Sequence, residues 1–347
     1  MRRACLILLA LPFLFQTILR GQDAAKPNQD AASLIQRLHA ADVSSALDTA
    51  DMQPWHLKMT VQLFDDKGKP SDQGSIEEWW AGPNQDKRVY TLPSYTATFV
   101  HADGKIFRTP GASHPPSLLE LLLRQAMHPM PTASEFEQAQ PQMSKINLGK
   151  APLECVMLAQ PIKGLKSAPL GLFPTYCFDP GKDALRLTYN FGTELVVRNA
   201  IGTFQQKLVS TDVVVRMEDV MAAEGKVAML QAQDLTSADL ATDGLEQVGG
   251  GSPQRVPAGV IAGMARKMSP PVYPPNAKAN HVTGVVTLHA VIGTDGHIYD
   301  LSVLSSPDPD LAIAAIAAVR RWTYKPYLLS GEPTEVETTI NVNFSMK

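Results

Sequence analysis

Val285-Val286-Thr287-Leu288-His289-Ala290-Val291-Ile292, then Thr294-Asp295-Gly296-His297-Ile298 and Val303-Leu304-Ser305-Ser306, is the stretch on which the fold of the C-terminal part turns. Val285–Ile292 and Ile298–Leu304 are β-like, and Asp295-Gly296 between them supplies the positive-φ residue that a tight hairpin needs. Asp308 followed by Pro309 is an N-cap with proline at the first helical position. Beyond it, Leu311, Ala315, Ala318, Val319 and Trp322 fall on one helical face, ready to pack on the hairpin. Downstream, Val336, Thr338, Ile340, Val342 and Phe344 alternate with Glu335, Glu337, Thr339, Asn341 and Asn343, which predicts a strand with one apolar face.

Upstream of the hairpin the chain reads Ser269-Pro270-Pro271-Val272-Tyr273-Pro274-Pro275, and downstream of the helix come Lys325-Pro326 and Gly331-Glu332-Pro333. Tyr-Pro, Gly-Val-Val, Asp-Gly, Ser-Ser, an alanine-rich helix ending in Trp, Lys-Pro and Gly-x-Pro occur in this order. In that order they resemble the TonB C-terminal domain over residues 268–347. The resemblance implies a small α+β domain whose partner is a short segment of an outer-membrane transporter, and a link to TonB-dependent transmembrane transport as an energy transducer. A last strand at a sheet edge would bind such a segment as an added strand. Pro271, Tyr273 and Pro274 of the entrance motif and Val336, Thr338, Ile340, Val342 and Phe344 of the strand are the expected partner-binding residues. The bland alternatives are ordinary sheet packing for the strand and a plain lead-in for Tyr273-Pro274. Where the family has a leading Gln in its Gln-Pro-x-Tyr-Pro segment this chain has Pro270, which removes a side-chain hydrogen-bonding group. It also has no long rigid spacer.

Residues 241–267 lose all apolar period and contain Gly249-Gly250-Gly251-Ser252-Pro253, so they predict a flexible linker. Ahead of them, residues 30–240 form a different pattern. Leu34, Ile35, Leu38 and Leu47 are spaced for one helical face, and from Trp55 the period changes to two: Trp55, Leu57, Met59, Val61 and Leu63 are apolar, the residues between them polar. More strands are expected at Ser75–Ala81, Lys87–Leu92, Tyr95–His101, Lys105–Arg108, Leu153–Ala159, Thr175–Phe178, Ala184–Phe191, Glu194–Arg198, Leu208–Met217 and Lys226–Gln233. Pro115-Pro116-Ser117 opens a helix at Leu118–Met127, which Pro129 and Pro131 stop. A long antiparallel meander with helices on one face predicts a β half-barrel with a concave apolar pocket. With the strand pair carrying Glu77-Glu78-Trp79-Trp80 and Arg88-Val89-Tyr90, this order resembles the LolA-like periplasmic lipoprotein-carrier fold. That implies a lipid in the N-terminal pocket as a second partner, and a lipid or lipoprotein carrier as the alternative function. The fold class is therefore α+β in two units.

Met1-Arg2-Arg3 and the apolar run Ala4–Leu19 have the layout of a secretory signal over residues 1–21; an uncleaved inner-membrane anchor is the rival. Export to the periplasm makes Cys155 and Cys177, on neighbouring β-like stretches, a candidate disulfide, with two buried thiols as the alternative. Of 347 residues 44% are hydrophobic and the net charge is −3, which excludes wholesale disorder and argues against a nucleic-acid partner. Proline, 27 residues, concentrates around the inserted helix, between the cysteine strands and at Ser269–Pro275 rather than in an extended spacer. The eight histidines are scattered, no nucleotide, zinc or nucleophile motif occurs, and Glu77-Glu78 should point to opposite faces of their strand. The expectation is a non-enzymatic protein without metal, cofactor or catalytic residues.

Overall fold

The computed structural model describes residues 31–131, 139–160, 168–190, 194–248, 253–329 and 331–346. The expected signal segment 1–21 and the glycine break at 249–252 lie outside the described residues. Helix α1 (Ala31–Ser45) leads into strands β1 (Trp55–Phe64), β2 (Pro70–Gly82), β3 (Gln85–Thr91), β4 (Thr96–Ala102) and β5 (Lys105–Arg108). Helix α2 (Ser117–Met127) follows. Then come β6 (Gln140–Leu148), β7 (Ala151–Ala159), β8 (Thr175–Phe178), β9 (Leu185–Asn190), β10 (Glu194–Phe204), β11 (Lys207–Met217), β12 (Val220–Ala232) and β13 (Glu246–Val248). All thirteen join one sheet in the order β13-β5-β4-β3-β2-β1-β12-β11-β10-β9-β8-β7-β6, with β13 and β6 as open edges, so the barrel is not closed.

Alternation decides what each face meets. Val156, Tyr176, Thr188, Val196, Val215 and Ala223 are directly opposed along six successive strands. At one end of this row Val156 and Tyr176 pack with Leu34 and Leu38 of α1; at the other, Val196, Val215 and Ala223 pack with Leu119, Leu122 and Leu123 of α2. Helix α2 sits close because β12 has a glycine beneath it. A Cβ on Gly225 would lie 2.9 Å from the Met59 sulfur and 3.1 Å from Leu122 Cδ2. The expected open pocket on this face is thus occupied by the leucines of the chain's own helix. Glu77 and Glu78 do point to opposite faces. Trp80 stacks on Trp55 inside at 5.8 Å, and Trp79 stacks on His56 on the other face at 4.3 Å.

The C-terminal unit is built on β14 (Gln254–Arg255), β16 (Gly284–Ile292), β17 (Ile298–Ser305) and β21 (Val336–Phe344), ordered β14-β21-β16-β17. Gly296 turns the hairpin with φ 82°, and a Cβ there would stand 2.0 Å from the Tyr324 carbonyl oxygen. Asp308 caps α5 (Pro309–Val319), its carboxylate accepting from the Asp310 and Leu311 amides at 2.9 and 3.3 Å. The helix stops at Val319, short of Trp322, whose indole N–H instead donates to the Ser269 carbonyl at 2.8 Å.

Residues 241–267 correct the expectation of a plain linker. β13 extends the large sheet on β5, and β14 lies parallel to β21. Helix α3 (Ala258–Ala262) and β15 (Ala265–Lys267) follow, and β15 pairs with β18 (Thr323–Tyr324). The remaining elements are α4 (Pro275–Ala279), β19 (Tyr327–Leu329) and β20 (Glu332–Thr334). The two units also share a core. Met157 and Ala159, on the face of β7 away from α1, cluster with Leu172, Phe173 and the apolar side of α5 and β21. An ion pair of 2.6 Å joins Arg320 to Glu194 across the same junction. Among the described residues no helix is long and apolar enough to cross a membrane.

Candidate functional site

β21 pairs with β16 along its whole length, Val336↔Ile292 through Phe344↔Gly284, without a bulge. Val336, Thr338, Ile340, Val342 and Phe344, the expected contact residues, are all buried, with their side chains in the core. Among the described residues, a strand lies along the other side of β21 only at its start. There the Gln254 and Val256 amides donate to the Glu335 and Glu337 carbonyls at 2.8 and 2.9 Å. Backbone groups in a strand point alternately to either side, so the odd-numbered residues face outward. Pro257 has no N–H and turns the chain into α3, which ends this pairing at Glu337. Past that point Thr339, Asn341 and Asn343 present their N–H and C=O groups at the edge, with no strand beside them among the described residues. The alternation in the sequence marks these positions as polar; it does not tell which of the two sets turns its backbone to the edge.

Glu337 flanks the open part. Its carboxylate lies 3.1 Å from His289 and 3.5 Å from Arg255, and these two groups hold its pKa below the ordinary glutamate value. At the far end the entrance motif meets the strand: the Tyr273 ring packs edge-on against Phe344 at 5.5 Å, and its hydroxyl donates to the Val282 carbonyl. Pro274 precedes α4 with ψ 136°, and Pro271 is half-buried in the extended lead-in. The structure therefore brings Tyr273 and Phe344 together and leaves Val272 exposed between the two prolines.

The face beneath α2 carries a second set of polar groups. Glu78 is fully buried, 3.2 Å from Arg88, which also faces Asp86 at 3.3 Å and Glu120 at 3.9 Å. One guanidinium cannot neutralise three carboxyls, and desolvation pushes Glu78 up to about 8. The Tyr90 hydroxyl donates to Glu120 and ties the start of α2 to β3. Near the other end of the helix, Arg198 of β10 donates through Nη2 to Gln125 and, at 2.9 Å, to Thr188. Sequence reading missed Arg198; its signal is a charge in phase with the buried positions of β10. On the opposite face Cys155 and Cys177, directly opposed on β7 and β8, form a buried disulfide.

Residues 269–346 match the family described as Gram-negative bacterial TonB protein C-terminal. Over 83 residues the chain is 32% identical to the proteins named Protein TonB of two Xanthomonas campestris pv. campestris strains, B100 and ATCC 33913. The aligned part is 24% of this chain and spans 37% of the length of those relatives. Among solved structures, the Pseudomonas aeruginosa TonB C-terminal domain is 30% identical, covering 24% of this chain and 85% of that one, with a TM-score of 0.22. A LolA superfamily protein from Nitrosomonas europaea is 10% identical and covers 62% of this chain and 99% of that one, with a TM-score of 0.38.

Proposed function

We propose that the C-terminal unit is a non-enzymatic binding module of the cell envelope that accepts a segment of a partner protein as an added strand on β21, in the service of TonB-dependent transport. The observation that carries this reading is the open backbone edge at Thr339, Asn341 and Asn343, continuing a line already used by β14. An added strand gains affinity from backbone bonds and selectivity from alternate side chains. The outward side chains here are Thr, Asn and Asn, so the edge tolerates a polar partner. An outer-membrane receptor is the partner class that the TonB-like segment favours. The Cys155–Cys177 disulfide fits an oxidising compartment, in keeping with export to the periplasm by the first 21 residues.

The test is a titration of the full chain with peptides from the periplasm-facing N-termini of outer-membrane transporters, read by amide shifts. Shifts should concentrate at 339–343. Asn341→Pro removes one outward donor and no bond to β16, so it should abolish binding while the fold persists. Peptide binding that Asn341→Pro leaves intact would place the partner elsewhere and refute the reading.

A further inference from the structure

The edge of β21 already has an occupant over its first residues, the chain's own β14. Gln254 stands opposite Val336 and Arg255 opposite Glu337, and the Gln254 and Val256 amides donate to the Glu335 and Glu337 carbonyls at 2.8 and 2.9 Å. The Arg255 side chain points outward, 87% exposed, with Nε 3.5 Å from the Glu337 carboxylate. Val256 points the other way: it is 7% exposed and belongs to the core that holds Val336 and Ile340. The Thr338 hydroxyl donates to its carbonyl at 2.8 Å. β14 is thus held as an added strand is held, by backbone bonds, with one side chain in an apolar slot and one beside a carboxylate. Two features limit its hold. It has only two residues, both exposed, and Pro257 turns the chain off the edge before Thr339.

We infer, on the reading of β21 as a strand acceptor, that β14 is a resident stand-in for the first part of the partner's strand and that the partner displaces it. The partner's strand runs parallel to β21, as β14 does. It carries a basic residue where Arg255 stands, an apolar one in the slot of Val256, and no proline at the next position. It therefore continues along Thr339 and Asn341 to Asn343, where β14 cannot follow. Its gain over β14 is the row of outward backbone groups at these three residues, which no strand covers among the described residues. β14 is tethered and competes from within the same chain, at an effective concentration of about millimolar. A strand that reaches only Glu335 and Glu337 loses to it, and one that covers both the slot and the open stretch wins.

The full chain is titrated with two peptides and followed by amide shifts and hydrogen exchange. Gln-Arg-Val-Thr-Val-Thr-Val-Thr spans 336–343 in the register of β14, and Thr-Val-Thr-Val-Thr spans only 339–343. Both should shift the amides at 339–343, and only the longer should strip the Gln254 and Val256 amides of their protection. Val256→Ala leaves the resident's slot half empty. It should bind the longer peptide about five- to twenty-fold more tightly than the wild type does, and the shorter one equally. Arg255→Glu, at an exposed position, turns the ion pair into a repulsion and should act in the same direction with a smaller gain. Should Val256→Ala fail to fold, Arg255→Glu decides. Binding of the longer peptide that leaves Gln254 and Val256 protected, or that neither variant strengthens, overturns the displacement while the edge stands as an acceptor. Binding of neither peptide at 339–343 overturns the acceptor edge and the displacement with it.

Discussion

The Thr338 hydroxyl donates to the Val256 carbonyl at 2.8 Å, and both residues are buried, so the last strand is tied through a side chain to the segment that starts α3. This bond joins the backbone ladder between the two strands and the Arg255–Glu337 ion pair in holding β14 on the edge of β21. Thr338→Val keeps the shape and leaves a buried carbonyl unpaired, at a cost of about 1–3 kcal/mol. The Gln254 and Val256 amides should then exchange hydrogen faster, while the β16 amides keep their protection. Equal acceleration in β16 would mean that the bond supports the whole unit rather than β14.

Much of this architecture is legible in the amino-acid sequence, and the parts that are not share a cause. Trp55–Leu63 and Val336–Phe344 announce themselves because one face is buried and the other wet, so alternation survives in the residue types. β6 does not, because Gln140–Leu148 is an edge strand whose nine residues are all exposed or half-buried. β13 and β14, of three and two residues, are too short to carry a period and exist only because sheet edges are there to receive them. The site follows the same rule. The polar character of Thr339, Asn341 and Asn343 is visible, but their outward backbone depends on where β14 and β16 lie. Arg198 is a lone charge until the face it shares with Val196 is known to be buried.

The Cys155–Cys177 bridge closes a loop across a sequence separation of 22 between strands that are already paired. Replacing both cysteines by alanine should lower stability by about 2–4 kcal/mol, through the larger entropy of the unfolded chain. Urea unfolding of the wild type with and without reductant, beside the double variant, measures it. A reduced wild type that matches the oxidised one would show that the strand pairing alone holds this edge of the sheet.

Glu78 links stability to pH. Its folded pKa, about 8, lies above the ordinary value of 4.5, so its contribution is fully present below about pH 4.5 and is lost as pH climbs through 8. Glu78→Gln is neutral at every pH and has no such loss. The variant should therefore gain on the wild type steadily between pH 4.5 and 8, whatever their difference at the acid end. Thermal midpoints across that range check it, and parallel curves would mean that Arg88 keeps Glu78 ionised in spite of its burial.

His128 acts in a higher window, at the junction of the two helices. Its imidazole lies between Asp42 of α1, at 2.8 Å, and Asp48, at 2.7 Å, just after α2 ends. Hydrogen bonds to these two carboxylates, Asp42 first, raise its pKa from 6.5 to about 9. A cation favoured in the fold contributes fully below pH 6.5, and the contribution fades as pH rises through 9. The group is partly exposed, so water screens the pair and the effect is modest. His128→Gln should be less stable than the wild type at pH 6 and equal to it at pH 10, with the urea midpoints converging in between. Because His128 follows the turn that holds Gln125, the amides of Gln125 to His128 should exchange faster in the variant at pH 6 than in the wild type. Unchanged exchange there, with the stability loss intact, would assign the ion pairs to α1 alone.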